Sequence, residues 1–127
     1  MHTVHLPKNV TGDMKYAAMG LFFSVENYTK EGVTEEMINT IDEFFDSLSF
    51  AEGSKSPIVP VVTYGKLMMM ADMDNRWVYK GSVTTPPCDT FVYWNVVRRV
   101  HPLKKKHLDL FKAILKEGGL EKTGNYR

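Results

Sequence analysis

The segment Tyr79-Lys80-Gly81-Ser82-Val83-Thr84-Thr85-Pro86-Pro87-Cys88 carries two adjacent hydroxyls followed at once by two prolines. Each proline fixes its own φ and pushes the residue before it out of the helical region, so Thr85 is expected to be extended and the loop stiff. A stiff loop can aim a hydroxyl at a reacting atom; the same stiffness also serves a purely structural turn. The histidines are His2, His5, His101 and His107, and Cys88 is the only cysteine. Strand side chains alternate faces, so His2 and His5 point to opposite sides and cannot jointly hold one ion. Cys88 finds no disulfide partner within these residues, and its simplest reading is a buried structural thiol.

The elements that must position these groups are legible from periodicity. His2 to His5 and Tyr16 to Val25 read as strands, the second holding the run Ala17-Ala18-Met19-Gly20-Leu21-Phe22-Phe23, which predicts burial on both faces. From Thr34 onward Met37, Ile38, Ile41, Phe44, Phe45 and Leu48 recur at helical spacing, with Glu35 and Glu36 in the first turn, where the helix dipole favours anions. Arg76 to Lys80 and Thr90 to Val100 read as strands, the latter alternating Val92, Trp94 and Val96 against Phe91, Tyr93 and Asn95. Leu108, Phe111 and Leu115 mark a second amphipathic helix after Pro102, ended by Gly118-Gly119. The cluster from Ala51 to Pro57 reads as an internal loop, and residues 1–127 as one unit. Met68-Met69-Met70 reads as core packing, Lys104-Lys105-Lys106 near Arg98-Arg99 as a solvated helix face, and His5 as an outward histidine. His101 and His107 carry no functional signal.

With 43% hydrophobic and 24% charged residues, the 127-residue chain is in the globular range. A formal charge of +1 provides no field to steer nucleic acid, and no apolar run approaches the roughly 20 residues needed to span a bilayer. The start, Met1-His2-Thr3-Val4-His5, lacks the features of a signal peptide, although Asn9-Val10-Thr11 and Asn27-Tyr28-Thr29 are glycosylation acceptor patterns.

The string GSVTTPPC, with Trp94 following at this spacing, resembles the loop-and-strand signature of α-type carbonic anhydrases. His2-Thr3-Val4-His5, the run from Ala17 to Phe23 and the closing Asn125-Tyr126-Arg127 extend the resemblance, while the stretch from Leu48 to Asp74 matches loosely. The resemblance implies a mainly β fold with peripheral helices (α+β), the C-terminal half of a domain built on a large, twisted, mostly antiparallel sheet whose N-terminal strands are missing. It makes His2 the third zinc-binding histidine, Thr84 the hydroxyl that accepts from zinc-bound hydroxide, and Thr85 its cavity neighbour. Ala18, Val83, Val92 and Trp94 would line the apolar side of the carbon dioxide pocket. In such enzymes three histidines hold zinc with one open position, and the metal acidifies its bound water into the hydroxide that attacks carbon dioxide to give bicarbonate.

The family's His-x-His pair, supplying the first two ligands, is not in this sequence, nor are the glutamate that orients the threonine, the acid just before the third ligand and the proton-shuttle region. The expectation is that zinc belongs to a complete domain, and that this chain alone binds none and is inactive. A protein partner or a missing N-terminal half would complete the sheet; a non-catalytic structural or binding subunit is the alternative. The resemblance also pairs Cys88 with a cysteine near the domain's N-terminus, as in secreted relatives, which with Asn9 and Asn27 points to a secretory lineage.

Overall fold

A computed structural model describes residues 1–9, 12–13, 15–48 and 63–117. The loop from Ala51 to Pro57, the Gly118-Gly119 stop, the closing Asn125-Tyr126-Arg127 and the Val10-Thr11 part of the first acceptor pattern lie outside them. The chain forms two compact units: a sheet unit, Met1–Phe23 with Ala71–His101, and a helical unit, Ser24–Met70 with Pro102–Arg127.

The sheet unit is built on four strands, β1 (His2–His5), β2 (Tyr16–Ser24), β3 (Arg76–Gly81) and β4 (Val92–Pro102), in the order β1-β2-β4-β3. β1 pairs antiparallel with β2, His2 opposite Gly20, and β3 pairs antiparallel with β4, Tyr79 opposite Trp94. At the junction of β2 and β4, Tyr16 N–H donates to Phe91 O, and the Cβ direction of Gly20 lies 3.5 Å from Val96 Cγ2. Residue numbers rise together on both strands, so this central pair is parallel and the sheet is mixed, while both outer pairs are antiparallel, in keeping with the mostly antiparallel sheet that the resemblance implied.

The registers sort the side chains onto two faces. One carries His2, Ala18, Gly20, Phe22, Trp77, Tyr79, Gly81, Val92, Trp94 and Val96; the other includes Leu21, Val97 and His101. Burial is uneven on the first face. Ala18, Val92 and Trp94 form a buried cluster with Tyr16, Val83 and Val96 packed against it, whereas Phe22 is 48% exposed, Trp77 53% and Tyr79 50%. β2 is therefore not buried on both faces along its length: its Ala18 and Leu21 are buried, but among the described residues nothing covers Phe22. β4 begins two residues later than the pattern predicted, because Gly81 opposite Val92 starts the ladder and Thr90 stays in the preceding bend.

The helical unit contains α1 (Glu35–Asp46), α2 (Tyr64–Met70) and α3 (Lys105–Glu117). Thr34, extended at φ −113° and ψ 160°, caps α1 by accepting from Met37 N–H at 3.2 Å, satisfying one of the first-turn donors. Met37, Thr40, Ile41 and Phe44 bury one stripe of α1. α2 was not foreseen: its buried residue is Leu67, and Met69 is 87% exposed, so the three methionines are not a core block. On α3 the buried side chain is His107 rather than Phe111, which is 46% exposed.

Candidate functional site

His2 and Thr84, far apart in sequence, line the same concavity of about 550 Å³ in the sheet unit. Met1, Gly20, Phe22, Trp77, Tyr79, Trp94 and Val96 also contribute to it. His2 stands on the edge strand with its ring edge-on to Trp94, centroids 4.9 Å apart and planes at 72°. Partial burial, and then the terminal ammonium of Met1, lower the pKa of His2, which favours the neutral imidazole. That ammonium donates to Leu21 O at 2.9 Å.

The loop carrying Thr84 closes on itself through Val83 N–H to Asp89 O at 2.8 Å and Cys88 N–H to Thr85 O at 2.9 Å. The Pro86–Pro87 peptide is cis, and Cys88 takes φ +60°, the left-handed region that non-glycine residues seldom adopt. This turn holds Cys88 on the exterior, so the thiol is exposed and not the buried structural cysteine of the simplest reading. Thr84 and Thr85 are both exposed.

Of the residues expected to line the apolar side, Trp94 reaches the concavity. Ala18 and Val92, 1% and 2% exposed, lie in the packed cluster around Trp94, with Val83 against it. Sequence reasoning passed over Phe22, Trp77 and Tyr79. The signal was present in β3, where Trp77 and Tyr79 stand two apart and so share a face.

A catalytic zinc takes three protein ligands in a tetrahedral set. The concavity offers one imidazole, His2, beside a threonine hydroxyl and otherwise mainly apolar and aromatic side chains. Among the described residues, the group of three metal-capable side chains within mutual reach is Asp42, Asp46 and His107, in the helical unit. Its carboxylates are already engaged. Lys104 and Lys106 pair with Asp42, Lys106 also pairs with Asp46 at 2.9 Å, and His107 Nε2 lies 2.6 Å from Asp42 Oδ1. A carboxylate only accepts, so Nε2 carries the donated proton. The residues present do not fit a catalytic zinc.

The lysine run is exposed, as a solvated face would be, and it is also paired: Lys104 and Lys106 meet carboxylates of α1, and Lys105 pairs with Asp109 on its own helix. His5 is exposed, and its Nε2 lies 3.2 Å from Thr3 Oγ1. No helix of the described residues is long and apolar enough to cross a membrane.

The family model for eukaryotic-type carbonic anhydrase matches residues 1–127. Alpha carbonic anhydrase 3 of Arabidopsis thaliana is 26% identical over 126 residues, 97% of this chain and 39% of that protein. The α-carbonic anhydrase of Thermovibrio ammonificans, solved with sulfanilamide, superposes with a TM-score of 0.61 at 20% identity, covering 91% of this chain and 44% of that one. A fungal α-carbonic anhydrase from Aspergillus oryzae gives 0.54 at 27% identity, over 80% and 41%. Dioscorin complexed with ascorbate gives 0.56 at 25% identity, over 86% and 40%. The chain thus spans about two-fifths of the length of these relatives.

Proposed function

Because the chain belongs to the eukaryotic-type carbonic anhydrase family, we propose that it forms the part of a carbon dioxide-hydrating domain that contributes the third metal-binding imidazole, His2, and the aimed hydroxyl, Thr84. The observation that carries this reading is that the two residues line one concavity beside Trp94. His2 presents a neutral nitrogen, Thr84 a hydroxyl able to accept one hydrogen bond and donate another, and Phe22, Trp94 and Val96 an apolar wall suited to a substrate without charge. Thr85 is the neighbouring hydroxyl, and Ala18, Val83 and Val92 pack with Trp94 in the cluster beside the wall.

In this reading two further imidazoles come from residues outside these 127, and the chain by itself neither binds catalytic zinc nor hydrates carbon dioxide. The partner is a polypeptide segment that adds strands and brings a His-x-His pair. A secretory route fits the same reading, since Asn27 and Cys88 are both exposed. The test is a chimera in which the residues of Arabidopsis alpha carbonic anhydrase 3 that precede its match are fused ahead of Met1. The expected outcome is a folded protein that takes up zinc and hydrates carbon dioxide, both lost in His2→Ala. A folded chimera whose zinc content is indifferent to His2 would overturn the proposal.

A second reading, a binding subunit without catalysis, is favoured by one observation: dioscorin, complexed with ascorbate rather than named for anhydrase activity, shares the fold. Saturable ascorbate binding by the chain, measured calorimetrically and lost in Trp77→Ala, would support it.

A further inference from the structure

We propose that Trp94 is a positioning residue, whose indole N–H tethers the loop that carries Thr84 while its ring sets the orientation of His2. This rests on the reading that His2 and Thr84 act together.

Trp94 Nε1 donates to Ser82 O at 3.0 Å, two residues before Thr84. The bonds from Val83 to Asp89 and from Cys88 to Thr85 close the loop only on itself, whereas the indole bond ties it to β4 in the sheet. The geometry depends on Gly81. A Cβ there would lie 2.9 Å from Trp94 Cδ1 and 2.9 Å from Tyr79 Cε2, closer than side-chain atoms pack. Its absence lets Tyr79 stack on Trp94, with planes 9° apart and centroids separated by 6.2 Å. Across from this stack, His2 meets the indole edge-on. The ring is 6% exposed and rests among Ala18 and Val92, so it is held by packing and its N–H direction is fixed. One rigid side chain thus orients both the imidazole and the hydroxyl loop, which is how a site limits the freedom of its reacting groups before substrate arrives.

An apolar wall needs only a ring, and phenylalanine supplies one; a tether needs the N–H. Trp94→Phe in the full 127-residue chain separates the two. Amide hydrogen exchange at Val83 and Cys88, whose N–H groups close the loop, read by NMR, is expected to quicken about fivefold to tenfold, the effect of losing one net hydrogen bond, with α1 and α3 amides unchanged. Reaction of the exposed Cys88 thiol with an aromatic disulfide reagent should quicken in parallel. Val92→Ala thins the same cluster without touching Ser82 and should leave the ratio of loop to sheet exchange as it was. Loop exchange in Trp94→Phe that matches the unaltered chain would overturn the proposal. Should that variant fail to fold, the unaltered chain still decides: the indole N–H of Trp94 must be protected while that of the exposed Trp77 exchanges freely, and equal rates overturn the tether. None of these readouts uses metal or activity, so a chimera that never hydrates carbon dioxide would sink the functional reading and leave this inference standing.

Discussion

The sheet unit and the helical unit solve the same problem to different degrees. In the helical unit Asp42 alone receives Lys104, Lys106 and His107, Asp46 receives Lys106, and the apolar stripe of α1 is buried. The sheet unit holds the chemistry-bearing residues and leaves an aromatic face open, with Phe22, Trp77 and Tyr79 about half exposed. An exposed apolar patch beside an edge strand is the kind of surface that interactions or aggregation exploit. The difference teaches that, among the described residues, the helices satisfy their ion pairs within their own unit, whereas the cup around His2 and Thr84 leaves its aromatic wall open, which is why the proposed function gives it a covering segment.

The comparison breaks most readily at Asp42. Asp42→Ala leaves His107, 2% exposed, without its acceptor, and is expected to cost about 1–3 kcal/mol in chemical denaturation. If the helical unit is self-contained, loss of protection should appear first in α1 and α3. An unchanged denaturation midpoint would mean that the network is ornamental.

Acid should dismantle the same network. Partial desolvation raises the pKa of Asp42, but the hydrogen bonds from Lys104, His107 and Lys106 outweigh it and hold the carboxyl well below the usual carboxylate range. A depressed folded-state value means that the unfolded chain takes up the proton first. The stabilisation is therefore fully present above the unfolded value of about 3.9 and is lost progressively below it, toward the folded value. Thermal midpoints should hold level from neutral pH to about 5 and fall below about 4, with the fall blunted in Asp42→Asn. An identical acid limb in that variant would contradict the assignment.

The smallest effect on stability is expected on the open face. Trp77→Ser removes a half-exposed ring and should change stability by no more than about 0.5 kcal/mol. It should nevertheless lower self-association, read by sedimentation velocity, if the apolar face is the adhesive surface. Unaltered association would relocate that surface.

How much of this was legible in sequence depended on how locally each feature is encoded. β1, β2, β3 and α1 followed from alternation and helical spacing within their own residues, and GSVTTPPC, as a contiguous string, placed Thr84 and Thr85 on a loop between strands. The burial of His107 was not legible, because the carboxylate that receives it lies 65 residues away, and nothing in the lysine run before it reveals its partners. The tripled methionine misled because hydrophobicity without periodicity does not say which side of a short helix faces inward. The exposure of Phe22 was hidden for the opposite reason: its sequence describes a covered strand, and among the described residues nothing covers it.

The central claim is that the cup supplies one metal-binding imidazole and must receive the others. The most direct measurement is zinc stoichiometry of the purified 127-residue chain after equilibration with excess zinc and gel filtration, alongside His2→Ala. The account predicts far less than one zinc per chain, with no difference between the two proteins. One tightly held zinc per chain, lost in His2→Ala, would contradict it.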